Sequence, residues 1–106
     1  MLRGILYEII QADDLGATVR LLPESAVYAG HFPGYPITPG VCLVQIALEL
    51  IGQDGLVAAK NIKFTSPVFP GEGAVLRFNI SGEGEDRSVE VYDGEVLSAK
   101  MSLTLA

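Results

Sequence analysis

His31 is the only histidine of the 106-residue chain, and an imidazole titrates close enough to neutral pH to serve as a base. It stands in GHFPGYPITPG, residues 30–40, a stretch that holds three of the six prolines and three of the twelve glycines. The apolar run that follows, VCLVQIALELI from Val41 to Ile51, is broken only by Gln45 and Glu49. On a helix these two lie on one face, one turn or about 5.4 Å apart. A carboxylate among apolar neighbours is costly without a partner. Glu49 therefore reaches a reactive site, meets Gln45 or a second chain, or lies where the helix emerges into water. Gly40 stands at the start of the same run. Backbone N–H groups there have no intrahelical acceptor and sit at the positive end of the helix dipole, where an oxygen gaining negative charge would be held. Cys42, the single cysteine, has no internal disulfide partner and reads as a small buried hydrophobe. One histidine and one cysteine do not supply the spacing of a metal site.

The elements that must position these residues can be read from period and punctuation. Residues 3–11 (RGILYEIIQ) read as a strand, Ala12 to Gly16 as a turn and residues 17–22 as a second strand ending at Pro23. Residues 25–37 read as an irregular loop. Thr38-Pro39-Gly40 opens a helix with Thr38 as the N-cap and Pro39 in the first helical position, and Gly52 suits its end. The helix, about residues 39–51, is apolar nearly all round and is expected to be buried all round. Residues 56–64, 74–81, 87–93 and 95–104 read as strands, with turns at Gly82 to Asp86 and a tight hairpin at Asp93-Gly94. Two strands, one buried helix and four strands give an α+β domain: an antiparallel sheet wrapped around a central helix, the hotdog fold.

Length allows one domain, residues 1–106, and a domain this small gains from pairing with a second copy. The net charge of −6, with seven scattered basic residues, argues against nucleic acid and against an anionic membrane surface as partners. The N-terminus lacks the long apolar core of a signal peptide, and no apolar run is long enough for a bilayer. With a single cysteine, the expectation is a soluble cytoplasmic protein. The glycines at Gly82-Glu83-Gly84 lie in an acidic turn that would repel phosphate.

His31-Phe32-Pro33-Gly34-Tyr35-Pro36-Ile37-Thr38-Pro39-Gly40-Val41 resembles the signature of the FabZ-type 3-hydroxyacyl-[acyl carrier protein] dehydratases, HFPG-x-P-x-x-PGV, with every fixed position present in one ungapped run. A second block, Asn61 to Glu72 (NIKFTSPVFPGE), resembles that family's strand and following PGD/PGE turn. The resemblance covers most of the chain but not the family's N-terminal extension before the first strand. It implies a lyase of fatty acid or lipid biosynthesis that removes water from a 3-hydroxyacyl thioester to give the trans-2-enoyl thioester. It makes His31 the base and the Gly40 N–H the oxyanion donor, with Phe32, Pro33, Gly34, Tyr35 and Val41 against the substrate. No cofactor is implied beyond the phosphopantetheine that carries the substrate on acyl carrier protein or coenzyme A. The family's dimer places the histidine of one chain near the helix of the other. A homodimer, a trimer of dimers, or a heterodimer with an active homologue is the implied assembly.

Two departures matter. The family's carboxylic acid lies fourteen positions after the histidine, where this chain has Gln45. An amide holds a hydroxyl but has no acidic proton, and loss of a positioned acid typically costs about 10²–10⁴ in rate. The family commonly has Glu then Gln at these two helix positions; here Gln45 precedes Glu49. Family members also often carry a basic pair after the Phe of the second block, where this chain has Thr65-Ser66, so docking of an acidic carrier is either unassisted or uses Lys60, Lys63 and a few arginines. Three functional readings follow: a dehydratase in which Gln45, with Glu49, handles the hydroxyl; a degenerate acyl-binding or partner subunit of an active dehydratase; and a hotdog thioesterase in which Glu49 activates water near Gly40.

Overall fold

The structure, a computed structural model, describes residues 1–29, 36–52 and 56–105. The chain runs β1 (Tyr7–Asp13), β2 (Gly16–Leu21), α1 (Ala26–Ala29), α2 (Gly40–Ile51), β3 (Leu56–Phe64), β4 (Val75–Glu83), β5 (Asp86–Asp93) and β6 (Val96–Leu105). The strands form one six-stranded sheet in the order β1-β2-β4-β5-β6-β3, with every neighbouring pair antiparallel.

Alternation along the strands decides which face is covered. Ala17, Val19 and Leu21 of β2, Leu76 and Phe78 of β4, Val89 and Val91 of β5, and Met101, Leu103 and Leu105 of β6 are buried. All of these but Ala17 form one core with Leu43, Ile46, Ala47 and Leu48 of α2. This is the expected hotdog arrangement, with the longer helix lying on the sheet. Tight turns join β1 to β2, β4 to β5 and β5 to β6. At Gly16 a Cβ would come within 1.9 Å of the Phe78 carbonyl oxygen on the neighbouring strand, so no other residue fits there.

The structure corrects several local expectations. β1 begins at Tyr7 rather than at residue 3, because residues 2–6 turn back on themselves. Gly4 has φ 83, its N–H donates to the Tyr7 carbonyl, and the Ile5 and Leu6 N–H groups donate to the Leu2 carbonyl. The loop before the helix contains the short α1. Thr38 is not the N-cap. Its side chain is buried and its hydroxyl lies 2.9 Å from that of Tyr28, while its N–H donates to the Val68 carbonyl. With the hydroxyl engaged, Pro39 takes the cap position and its carbonyl accepts from Cys42 and Leu43. At the other end Gly52 has φ 87 and closes the helix as expected.

The helix is not buried all round within one chain. The sheet covers the Leu43–Ile46–Ala47 face, whereas Val41 is 74% exposed and Gln45 is exposed. β3 forms one edge of the sheet, and Lys60 and Lys63 on it are solvated. Its register slips between these two lysines, where Asn61 takes a left-handed φ of 52. Asn is among the few residues that visit that region readily.

Candidate functional site

The helix N-terminus is built from its approach. Tyr28 on α1 and Thr38 are joined hydroxyl to hydroxyl, and Thr38 is tied to Val68. That fixes Pro39 and delivers Gly40 as the first residue of α2. The Gly40 and Val41 N–H groups have no acceptor among the described residues, as the first turn of any helix requires. Gly40 opens onto a cavity of about 360 Å³ lined also by Ile37, Thr38, Leu43, Phe64 and Val68. The Phe64 ring lies over Gly40 so closely that a Cβ there would sit 2.4 Å from its Cζ. Glycine at this position lets the ring close over the helix end. The result is a mainly apolar cavity beside free backbone donors, a combination suited to an acyl chain and a polarised carbonyl.

Gln45 and Glu49 sit elsewhere on the helix. From Gly40 to Gln45 is about 140° around the axis and 7.5 Å along it, and Gln45 does not line that cavity. Val41, Gln45 and Glu49, spaced by four, share a face. The structure thus brings Gln45 to Glu49 and leaves both apart from the Gly40 cavity of the same chain. His31, Phe32, Pro33, Gly34 and Tyr35 lie outside the described residues.

Glu49 is the most heavily used polar side chain on α2. Its Oε2 accepts from the Leu2 N–H at 2.8 Å and from Gln45 Nε2 at 2.9 Å; its Oε1 accepts from the Arg3 N–H at 3.0 Å and from the Tyr7 hydroxyl at 3.0 Å. Partial burial pushes the carboxyl pKa up, but the hydrogen bonds together outweigh it and leave the pKa below its ordinary value. Tyr7 is fully buried, and burial followed by the Glu49 bond raises its pKa, so its phenol stays a donor. Of the alternatives open for Glu49, contact with Gln45 is realised. The clasp on the N-terminal segment was not foreseen. No local pattern signals it, since Leu2 and Tyr7 are more than forty residues away.

Thr65, in place of the basic pair, has a structural use. Its hydroxyl donates to the Leu97 carbonyl at 2.5 Å, and its N–H donates to the Ser98 carbonyl. These bonds pin the end of β3 to β6 where the β5–β6 register slips.

The sheet and the helix lying on it define a hotdog protein. The chain belongs to the ApeI-like family: the pattern described as ApeI dehydratase matches residues 8–101. A 3-hydroxyacyl-[acyl-carrier-protein] dehydratase FabZ of Rhizorhabdus wittichii is 31% identical over 116 residues, covering 92% of this chain and 73% of the relative. The FabZ of Wolbachia pipientis is 33% identical over 67 residues, 52% of this chain and 47% of the relative. That of Geobacter metallireducens is 31% identical over 84 residues, 66% of this chain and 55% of the relative. The chain thus spans about half the length of several curated relatives it matches. Among solved structures, the dehydratase heterocomplex ApeI:P from Xenorhabdus doucetiae shares the fold, with TM-score 0.71 at 21% identity over 94% of this chain and 97% of that one. No helix among the described residues is long and apolar enough to cross a membrane.

Proposed function

We propose that this protein acts on 3-hydroxyacyl thioesters as a dehydratase of fatty acid or lipid biosynthesis, forming the trans-2-enoyl thioester. The observation that carries the reading is the Gly40 N–H, free of acceptors among the described residues and open to the apolar cavity under Phe64. A thioester oxygen held by this N–H would withdraw charge from C2, and His31 would take the C2 proton. Expulsion of the 3-hydroxyl needs one proton to make water. Gln45 has none to give. The imidazolium formed at His31 is the proton source left within the motif, and Gln45, braced by Glu49, holds the hydroxyl by a hydrogen bond. The substrate reaches the site on the phosphopantetheine of acyl carrier protein or coenzyme A, and no further cofactor takes part. The protein works in the cytoplasm as a dimer, in which Gln45 of one chain faces His31 of the other.

Hydration of a crotonyl-type thioester, the reverse reaction, tests this by loss of enoyl absorbance. Turnover by the purified protein that disappears in His31→Ala supports the reading. Turnover unchanged in His31→Ala sinks it.

The Gln45–Glu49 bond favours a second reading. An amide at the acid position and a carboxylate already committed to four donors leave α2 without a proton donor. A heterodimer with an acid-bearing homologue would supply one, making this chain a partner subunit. Activity that arises only on mixing with such a homologue supports that reading, and equal activity of the chain alone counts against it. Thioester hydrolysis by Glu49 is disfavoured by the same engagement, and release of free thiol from an acyl-CoA would revive it.

A further inference from the structure

We infer that Glu49 is a positioning residue: by accepting from Gln45 Nε2 while held by the backbone of Leu2 and Arg3 and by the Tyr7 hydroxyl, it turns the Gln45 carbonyl oxygen outward as the acceptor for the substrate's 3-hydroxyl. The inference rests on the dehydratase reading for the identity of that hydroxyl, and on geometry alone for the orientation of the amide.

A primary amide has a donor end and an acceptor end. A free glutamine on a helix surface presents either. Here the carboxylate, an acceptor only when ionised, selects the NH₂ end at 2.9 Å, so the carbonyl oxygen is the end that points away. The carboxylate is not itself free to choose its place. Two backbone donors at 2.8 and 3.0 Å and a buried phenol at 3.0 Å hold it. Residues 2 and 3, at the far end of the chain, are thereby connected through one side chain to the orientation of Gln45. The site face then offers an acceptor where a dehydratase acid would offer a proton. It binds a hydroxyl well and expels it poorly.

The charged and titratable groups around Glu49 are Arg3, Tyr7 of β1 and, lining the adjoining cavity, Asp13 at the end of β1, Asp14 of the β1–β2 turn and Arg87 of β5. Asp13 also titrates low, held down first by its bond with Arg77, so the Asp13→Asn background isolates the Glu49 signal.

The first measurement is the Gln45 side-chain amide resonance between pH 7 and 3, in the Asp13→Asn background and with Glu49→Ala added. It needs no turnover. An amide proton that shifts with a single midpoint below 4.5, and stops shifting in Glu49→Ala, supports the orientation. An amide that ignores both pH and Glu49→Ala overturns it. The second measurement compares a 3-hydroxyacyl pantetheine amide with its 3-deoxy counterpart. One added hydrogen bond predicts about tenfold tighter binding of the hydroxy form. That preference is lost in Glu49→Ala and partly kept in Glu49→Gln, whose own carbonyl still accepts from Gln45. Equal binding of the two analogues by the native protein overturns the acceptor role. Binding of neither contradicts the dehydratase reading, and with it the identity of the ligand, while the amide titration still decides the orientation.

Discussion

Gln45 Nε2 lies 2.9 Å from Glu49 Oε2, one turn further along α2, and that carboxylate also accepts from Leu2, Arg3 and Tyr7. The pair therefore does two things at once. It closes the N-terminal segment onto the helix, and it makes up the polar face of an otherwise apolar α2.

The clasp has an energetic signature. Hydrogen bonds to a charged group are worth more than neutral ones, but solvent screens this half-buried carboxylate, so Glu49→Ala is expected to cost about 1.5 kcal/mol at pH 7. Because its folded-state pKa lies below the ordinary 4.5, the contribution is complete above that pH and is lost as pH falls through the depressed value. Denaturant titrations from pH 7 to 3 should show Glu49→Gln less stable than native near neutrality and less dependent on pH in the acid range. Parallel profiles would show that Glu49 is not held as described.

The helix entry depends on two hydroxyls. Tyr28→Phe leaves Thr38 Oγ1 buried without its partner, a loss of about 1–2 kcal/mol. Thr38→Val should cost a similar amount, and the double variant little more than either alone, because both remove the same bond. Additive losses in thermal unfolding would mean that the two side chains act separately.

Gly40 is fixed by the ring above it. In Gly40→Ala the new Cβ falls 2.4 Å from Phe64 Cζ. Phe64 is 53% exposed and can swing outward, so the stability cost sits near the low end of overpacking, about 1 kcal/mol. The larger effect is on the cavity, which loses its cover. Phe64→Ala should remove the stability penalty of Gly40→Ala, read as non-additivity in unfolding midpoints, without restoring ligand binding. A penalty that persists without the ring would point to backbone strain instead.

Most of the scaffold was legible because strand period and turn chemistry are local. The limits of β3 fall where the run LVAAKNIKF places them, and the expected hairpin joins β5 to β6, its turn one residue later at Gly94-Glu95. What escaped the sequence is contact at long range. Nothing near Thr38 announces that Tyr28 will claim its hydroxyl and move the cap to Pro39. Nothing near Glu49 announces that Leu2 and Arg3 will turn their N–H groups onto it and shorten β1. The apolar helix misled for a related reason: hydropathy marks Val41 for burial without saying whether its own chain or another supplies the cover. Gln45 was visible as a polar break in the apolar run, but its orientation was not, since that is set by a carboxylate whose other partners come from the N-terminal segment.

The measurement that tests the account most directly is enoyl-thioester hydration by the native protein, His31→Ala and Gln45→Glu side by side. A carboxyl at position 45 would stand one turn from Glu49, share a proton with it and so be available as an acid near neutral pH. The account predicts that Gln45→Glu outpaces the native protein by about 10²-fold or more, and that His31→Ala abolishes turnover in either background. A Gln45→Glu variant no faster than a native protein that itself turns over through His31 would contradict it, because the missing carboxyl at position 45 would then not be what limits turnover.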